Sequence, residues 1–339
     1  MLNKLCLLLL VSSIILMGKL GAQDAVFSQF YAAPLQLNPA LAGVSIAPRV
    51  GVNYRTQYGA YPNAYRTFAV SYEQPFEGKP SSIGLTGISN VQADGAYRIT
   101  NFKVIYSYEV RVTKELYARL GLSLGAIQTR VDFNQLLFGD QLDAIEGNTG
   151  AATAEDLIAS NKTSFDAGAG IVLYSGPLFG GFSLDHLTRP DESLIELNQN
   201  LYAGRPIRMN VHFGGQIKLK RYTNRRRPAY VTPNLLYSRQ AAFQQLDLGA
   251  YFGYGKFFLG GWYRHAFENA DAAIAVVGFR EGVLRIGYSY DATLSALRTV
   301  PGGLGGTHEI SMSLNFGDSK ALQRKRFRSR FNDCFGMFN

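Results

Sequence analysis

Charge is scarce in this chain. Only 17% of its residues are charged while 47% are hydrophobic, a balance that excludes a disordered polypeptide. Long apolar runs are also missing. Beyond the first twenty or so residues nothing approaches the ~20 consecutive apolar positions that a spanning helix needs, which excludes a polytopic helical membrane protein. Histidine occurs four times, at His186, His212, His265 and His308, scattered and with no pair at metal-ligand spacing. His308-Glu309 opens no zinc-protease motif, because Met312 stands where the second histidine is required. Gly78-Lys79 is followed by Pro80 and reads as a turn rather than a phosphate loop. A hydrolase at a barrel wall needs a nucleophile or acid beside a histidine. His212 and His265 are the candidates, and both read as ordinary lumen or interface histidines. No catalytic residue, metal ligand or cofactor-binding residue is therefore assigned, and the chain reads as a non-enzyme.

What is plentiful points elsewhere. Gly (36), Tyr (20) and Phe (22) are abundant, which suits strands with a large apolar exterior. Residues 1–22 read as a secretory signal peptide: Lys4 in the basic region, Leu5 to Met17 as the apolar stretch, Gly21-Ala22 as the small-residue cut site. Its removal takes Cys6 with it and leaves Cys334 alone, so no internal disulfide forms. An exported chain without disulfides fits a bacterial envelope better than a small secreted domain.

The net charge of +9 is concentrated. The leader carries two of the positive charges, Lys218 to Arg227 six, and residues 317–339 a net four, leaving −3 for the remainder. A nucleic-acid-binding stripe across a folded face is absent from this pattern.

From about residue 46 a two-residue period dominates. In 207–220 the odd positions are Ile207, Met209, Val211, Phe213, Gly215, Ile217 and Leu219, while the even ones include Arg208, Asn210, His212, Gln216 and Lys218. Successive strand residues face opposite sides, and such a run is too long for the five or six residues usual in a soluble sheet. The alternation recurs at 102–110, 246–254, 284–290 and 310–316. Ten-residue segments alternating apolar-out and polar-in mark a transmembrane β-barrel, one of two ways to satisfy every backbone group in lipid. About fourteen segments are counted between residues 46 and 316. An even number puts both chain ends on one side. Odd-numbered connections are long and even-numbered ones short, as in outer-membrane barrels with external loops and periplasmic turns. Both basic clusters then fall on the periplasmic side. Thr153 to Asp156 resembles a helix capping box within the longest loop.

The segment after the leader is QDAVFSQFYAAPLQLNPALAG, Gln23 to Gly43. Its Gln23-Asp24, Phe27-Ser28-Gln29-Phe30, Pro34-Leu35, Leu37-Asn38-Pro39-Ala40 and Gly43 resemble the opening of the PorP/SprF family, outer-membrane proteins linked to the type IX secretion system of Bacteroidota. Tyr54-Arg55-Thr56-Gln57, His308-Glu309-Ile310-Ser311 and the basic tail from Arg324 to Phe331 add to the resemblance. Ala25 and Ala33 stand where the family often has Pro and Asn, and Cys334 lies beyond Arg330-Phe331. Pro34 and Pro39 interrupt a strand ladder, and the apolar residues Phe27, Phe30, Tyr31, Leu35, Leu37 and Leu41 have no bilayer period. This segment is expected inside or under the barrel as a plug.

The sequence thus divides into a leader (1–22), a plug (23–44), an all-β transmembrane barrel of about 14 antiparallel strands (45–316) and a basic periplasmic tail (317–339). The even strand count and the loop parity put both termini in the periplasm, and the resemblance implies an outer-membrane protein of the type IX system that aids secretion or surface anchoring of large adhesin-type substrates, including those of gliding motility. The external loops 131–163 and 188–206 are expected to meet that substrate. Arg221, Arg225, Arg226 and Arg227, with Arg324, Lys325, Arg326, Arg328 and Arg330, are expected to meet periplasmic secretion or peptidoglycan-associated proteins, or lipid phosphates. No cofactor or nucleic acid is expected. The alternative is a porin or hydrophobic-solute transporter with an N-terminal plug, its lumen lined by Arg208, Lys218, Asp247 and Arg285.

Overall fold

The computed structural model describes residues 24–45, 47–60, 65–143, 145, 147–154, 160–194, 204–219, 229–267, 272–294 and 305–316. Fourteen antiparallel strands form the wall. They are β1 (Arg49–Gln57), β2 (Tyr65–Pro75), β3 (Ser81–Gln92), β4 (Tyr97–Arg111), β5 (Tyr117–Val131), β6 (Asn161–Ser175) and β7 (Leu178–Asp185). The second half comprises β8 (Arg208–Gly215), β9 (Tyr230–Gln240), β10 (Phe243–Tyr254), β11 (Phe257–Ala266), β12 (Ala272–Glu281), β13 (Leu284–Thr293) and β14 (Thr307–Asn315). Each pairs with its sequence neighbours, and β14 pairs back onto β1 from Arg49↔Asn315 to Gln57↔Thr307. The ring is closed, so no strand edge is left in the hydrocarbon layer.

The two-residue period sets which side chain faces lipid. On β4, Phe102, Val104, Tyr106 and Tyr108 are exposed while Lys103, Ile105 and Ser107 are buried inside. On β14, Ile310 and Met312 face outward, and Glu309 and Ser311 inward. No helix among the described residues is long and apolar enough to cross a membrane; the strands do so instead. Strands β10–β11 and β12–β13 join through two-residue turns at Gly255-Lys256 and Gly282-Val283. Both glycines have positive φ, 62° and 57°, the left-handed conformation such hairpins demand.

Three expectations need correction. The continuous segment 207–220 breaks at Gln216, whose N–H donates to the Pro177 carbonyl at 2.9 Å; pairing to β9 resumes only at Ile217–Lys218. Gly214-Gly215 sits just before the break. A Cβ at Gly214 would lie 2.1 Å from Asn234 Oδ1 and 2.6 Å from the Phe179 ring, so a larger residue there requires those side chains to shift, and the glycine itself costs strand stiffness. Second, the interior is not uniformly polar. Val172, Tyr174, Phe179, Leu236, Tyr251, Phe258, Trp262, Ile274 and Val276 form a buried apolar cluster with the N-terminal segment. Third, β1 begins and β14 ends on the short-turn side, but Asp24 does not share it. Its N–H donates to Oε1 of Gln240 at 2.9 Å, and Gln240 closes β9 at the long-loop end. Residues 24–45 traverse the lumen, so the expectation of two ends on one side does not extend to this segment. Residues 1–23, 155–159 and 317–339 lie outside the described residues, and with them the leader, Gln23, most of the expected loop helix and the basic tail. Arg221, Arg225, Arg226 and Arg227 lie outside them as well.

Candidate functional site

The lumen segment is shaped by its two prolines. Pro34 opens a single helical turn, α1 (Pro34–Leu37), and Pro39 opens a 3₁₀ turn through Leu41. Each occupies a first-turn position where its missing N–H costs nothing. Asn38 links the turns. Its Oδ1 accepts from Ala40 N–H at 2.8 Å, and its Nδ2 lies 3.2 Å from the Ile171 carbonyl and 3.1 Å from the Phe182 carbonyl on the wall. The wall makes room with glycine: a Cβ at Gly121 would sit 2.2 Å from Ala40 N, and one at Gly170 2.0 Å from Asn38 Oδ1.

Barrel side chains hold the segment along its whole length. The Glu309 carboxylate accepts from the N–H groups of Ser28 (2.8 Å) and Gln29 (3.0 Å). Ser28 Oγ donates to Asp291 at 2.5 Å and accepts from Arg55 (2.7 Å) and Arg264 (3.0 Å). The Gln29 amide reaches Ser289 and the Glu309 carbonyl, and Tyr31 and Ser311 hydroxyls both donate to its Oε1 at 2.7 Å. Lower down, Ser183 and Asn210 donate to the Leu37 carbonyl. Ser107 and Arg119 each donate to the Ala42 carbonyl at 2.7 Å. Gly43 N–H donates to Glu73, itself paired with Arg49 at 2.8 Å. Between these polar anchors Phe30 meets Trp262 edge-on at 4.9 Å and Tyr31 meets Tyr251 at 4.6 Å. The Arg285 guanidinium lies over the rings of Tyr31 and Phe258 at 4.6 and 4.5 Å, a favourable cation–π position. Phe27 packs with Ala33 and Ala69.

A charged cradle closes the long-loop end. Asp24 pairs with Arg205, with Arg208 at 3.1 Å and with His186 at 2.8 Å. Burial works against a charge on Asp24, but the positive charges of His186, Arg208 and Arg205 outweigh it and hold the carboxyl well below the usual carboxylate range. Burial likewise opposes protonation of His186, yet Asp24 and Asp166 raise its pKa above the ordinary histidine value.

The structure therefore brings Asp24, Phe27, Ser28, Gln29, Phe30, Pro34, Leu37, Asn38, Pro39 and Gly43 together in the lumen. Of the inward residues read from the period, Asp247 and Arg285 are buried there and Arg208 is half-buried, while Lys218 is exposed near the short-turn end. The partners Glu309, Asp291, Arg264, Glu73, Arg205 and His186 were not singled out as a holding set; the signal that finds them is charge at inward strand positions and beside strand ends. His212 packs its ring near Phe179 and meets Asn38 at 3.2 Å. Its Nδ1 has no hydrogen-bond partner among the described residues, which leaves it without the orienting group of a general base. His265 sits on the outer wall beside Tyr263 and Phe267. Among the described residues no cluster of three metal-ligating side chains forms.

No curated protein sequence matches the chain. Similar solved structures include the CymD monoaromatic hydrocarbon channel, at 13% identity over 88% of this chain and 95% of that one, TM-score 0.46. A Pseudomonas aeruginosa FadL homologue (12%, 79% and 90%, 0.41) and the Pseudomonas putida toluene transporter TodX (9%, 87% and 96%, 0.43) are also similar. A family profile described as type IX secretion system membrane protein PorP/SprF matches residues 20–314. This outer-membrane β-barrel, with its lumen filled by its own N-terminal segment, belongs to the PorP/SprF family of type IX secretion system membrane proteins.

Proposed function

We propose that the protein is a non-enzymatic holding component of the type IX system, aiding secretion or surface anchoring of large adhesin-type substrates such as those of gliding. The observation that carries this reading is the filled lumen. Residues 24–45 are bound along the barrel axis by buried carboxylates and arginines, an arrangement suited to a rigid platform. In this reading the long loops, including residues 131–163 and 188–206, face the cell exterior and meet the substrate. Exposed Leu137, Leu142 and Ile145 in the first of these supply apolar contact area of the kind found at protein interfaces. The short turns face the periplasm, where Arg221, Arg225, Arg226, Arg227, Arg324, Lys325, Arg326, Arg328 and Arg330 engage acidic surfaces of secretion or peptidoglycan-associated proteins.

The test is a tagged copy with Arg225, Arg226 and Arg227 all changed to Glu. Loss of co-purifying periplasmic proteins and of surface-displayed adhesin, with the barrel still assembled, is the expected outcome. Unchanged display and pull-down discard the partner role. Single-channel recording separates the transport alternative: a selective solute flux through the intact protein favours a transporter with a plug over a platform.

A further inference from the structure

At the long-loop end of the lumen four cations and four carboxylates meet. Lys103 Nζ lies 3.0 Å from both Asp166 and Asp185. His186 places Nδ1 3.0 Å from Asp166 and Nε2 2.8 Å from Asp24. Arg208 spans Asp185 (3.2 Å) and Asp24 (3.1 Å), and Arg205 spans Glu192 (2.6 Å) and Asp24. With a carboxylate on each ring nitrogen, His186 is held as the doubly protonated imidazolium, in which both nitrogens donate. Seven of these groups belong to the wall or to the loop after β7, and only Asp24 comes from the N-terminal segment. Both of its oxygens are engaged: Oδ1 by Arg205, Oδ2 by Arg208 and His186.

Remove Asp24 and the cradle either keeps one uncompensated buried positive charge or sheds it by deprotonating His186, and in both cases Arg205 and Arg208 lose the carboxylate they share. That is an expensive state, and one that a carboxylate of matching geometry relieves. The cradle is also built as a clamp. His186 and Arg189 hold φ of 59° and 47°, a left-handed conformation that non-glycine residues adopt at a cost and that gathers at ligand clamps. A cavity of about 70 Å³ adjoins it, lined by His186, Arg205 and Arg208 themselves together with Phe27, Lys103 and Ile127. It offers space for the methylene stem behind an incoming carboxylate.

We propose that the Arg205–Arg208–His186 cradle is a carboxylate-binding site which Asp24 fills in cis, and that an acidic side chain of a peptide arriving at the long-loop face displaces it. The identity of that peptide as part of a secreted substrate rests on the proposed function; the binding chemistry does not. The cis occupant competes at the millimolar effective concentration of a short tether, so the site is masked until the N-terminal segment is drawn away.

The experiment uses the purified full-length barrel in detergent, native and as Asp24→Ala and Asp24→Asn. Thermal midpoints are read in sodium acetate against sodium chloride at matched ionic strength, and binding of a labelled hexaglutamate peptide is read by anisotropy. Acetate is expected to raise the midpoint of Asp24→Ala saturably and to leave the native protein unmoved. Hexaglutamate is expected to bind Asp24→Ala at least about tenfold more tightly than native protein, and Arg208→Gln in the same background to abolish it. Should the alanine variant fail to assemble, Asp24→Asn carries the peptide comparison alone, because its amide still occupies the space acetate would need; equal hexaglutamate binding by this variant and native protein then overturns the proposal. No acetate dependence in folded Asp24→Ala overturns the proposal, as does an equal shift in native protein. Acetate rescue without peptide binding also overturns it, reducing the cradle to a structural clasp. Peptide binding in vitro without any effect on secretion in cells leaves the site standing and refutes only its assignment to a secreted substrate.

Discussion

The Glu309→Gln substitution tests the grip of the barrel on its lumen segment. Glu309 accepts three donors, the N–H groups of Ser28 and Gln29 at 2.8 and 3.0 Å and the Arg55 guanidinium at 3.2 Å. Glutamine keeps the shape but offers one carbonyl oxygen, so one backbone N–H is left facing an amide NH₂ in a buried site. A hydrogen bond to a charged group is worth about 1.5–3 kcal/mol, and about 1.4 kcal/mol is tenfold in an equilibrium constant. Hydrogen exchange at the amides of Ser28 and Gln29 is therefore expected to quicken by roughly 10- to 100-fold through local opening. Arg55 retains Asp291, so the β4–β5 ladder should exchange at its native rate. The assay is exchange mass spectrometry on the detergent-solubilised barrel. Unchanged protection at Ser28 and Gln29 would show that apolar packing around Phe30 and Tyr31, not the carboxylate, holds the segment. A uniform loss across all strands would equally refute a local anchor.

Two further outcomes follow from the same contacts. Gly121→Ala drives a Cβ to 2.2 Å from Ala40 N and 2.4 Å from Pro39 C, backbone atoms that cannot rotate away. Overpacking of this kind costs about 1–3 kcal/mol, and exchange over residues 36–42 should rise while the outer rim of the barrel stays protected. The cradle should also show a pH window. Asp24, depressed below its ordinary 3.8, contributes stability above that value that is lost as pH falls through its folded pKa. His186, raised above 6.5, contributes fully below 6.5 and loses its share as pH rises through its folded pKa. The groups facing the pair are Lys103, Asp166, Asp185, Glu192, Arg205 and Arg208. Protease clipping near Asp24 should be slowest between about pH 4 and 6.5 and quicken on either side.

The barrel was legible because a strand in lipid reports its geometry at every second residue. The apolar Phe102, Val104, Tyr106 and Tyr108 place β4, and the parity of long and short connections closes the ring at fourteen. The break at Gln216 was hidden because alternation continues through Ile217. Large apolar residues that face inward, such as Leu236 and Trp262, escape the period because their partners lie on a segment more than 200 residues away. The prolines and missing bilayer period marked residues 23–44 as a plug inside or under the barrel, and did not decide between the two. Nothing local fixes the direction in which a plug runs, so Asp24 at the long-loop end emerged only from its pairing with Arg205, Arg208 and His186. The cradle itself joins residues from β4, β6, β7, the loop after β7 and β8, a juxtaposition that the pairing and inward curvature of these neighbouring strands create and that no local sequence signal reports.

The anchors of Ser28 and Gln29 are Glu309 on β14 and Asp291 and Ser289 on β13. Ser28 and Gln29 precede β1 in the chain, yet they can take their seat only after the β13–β14 hairpin has been made and inserted. Docking of Ser28 and Gln29 is thus a built-in signal of completion: a wall that lacks β13 and β14 can hold Leu37, Ala42 and Gly43 through β2 to β8 but leaves the Phe27–Tyr31 stretch unseated and open to proteolysis.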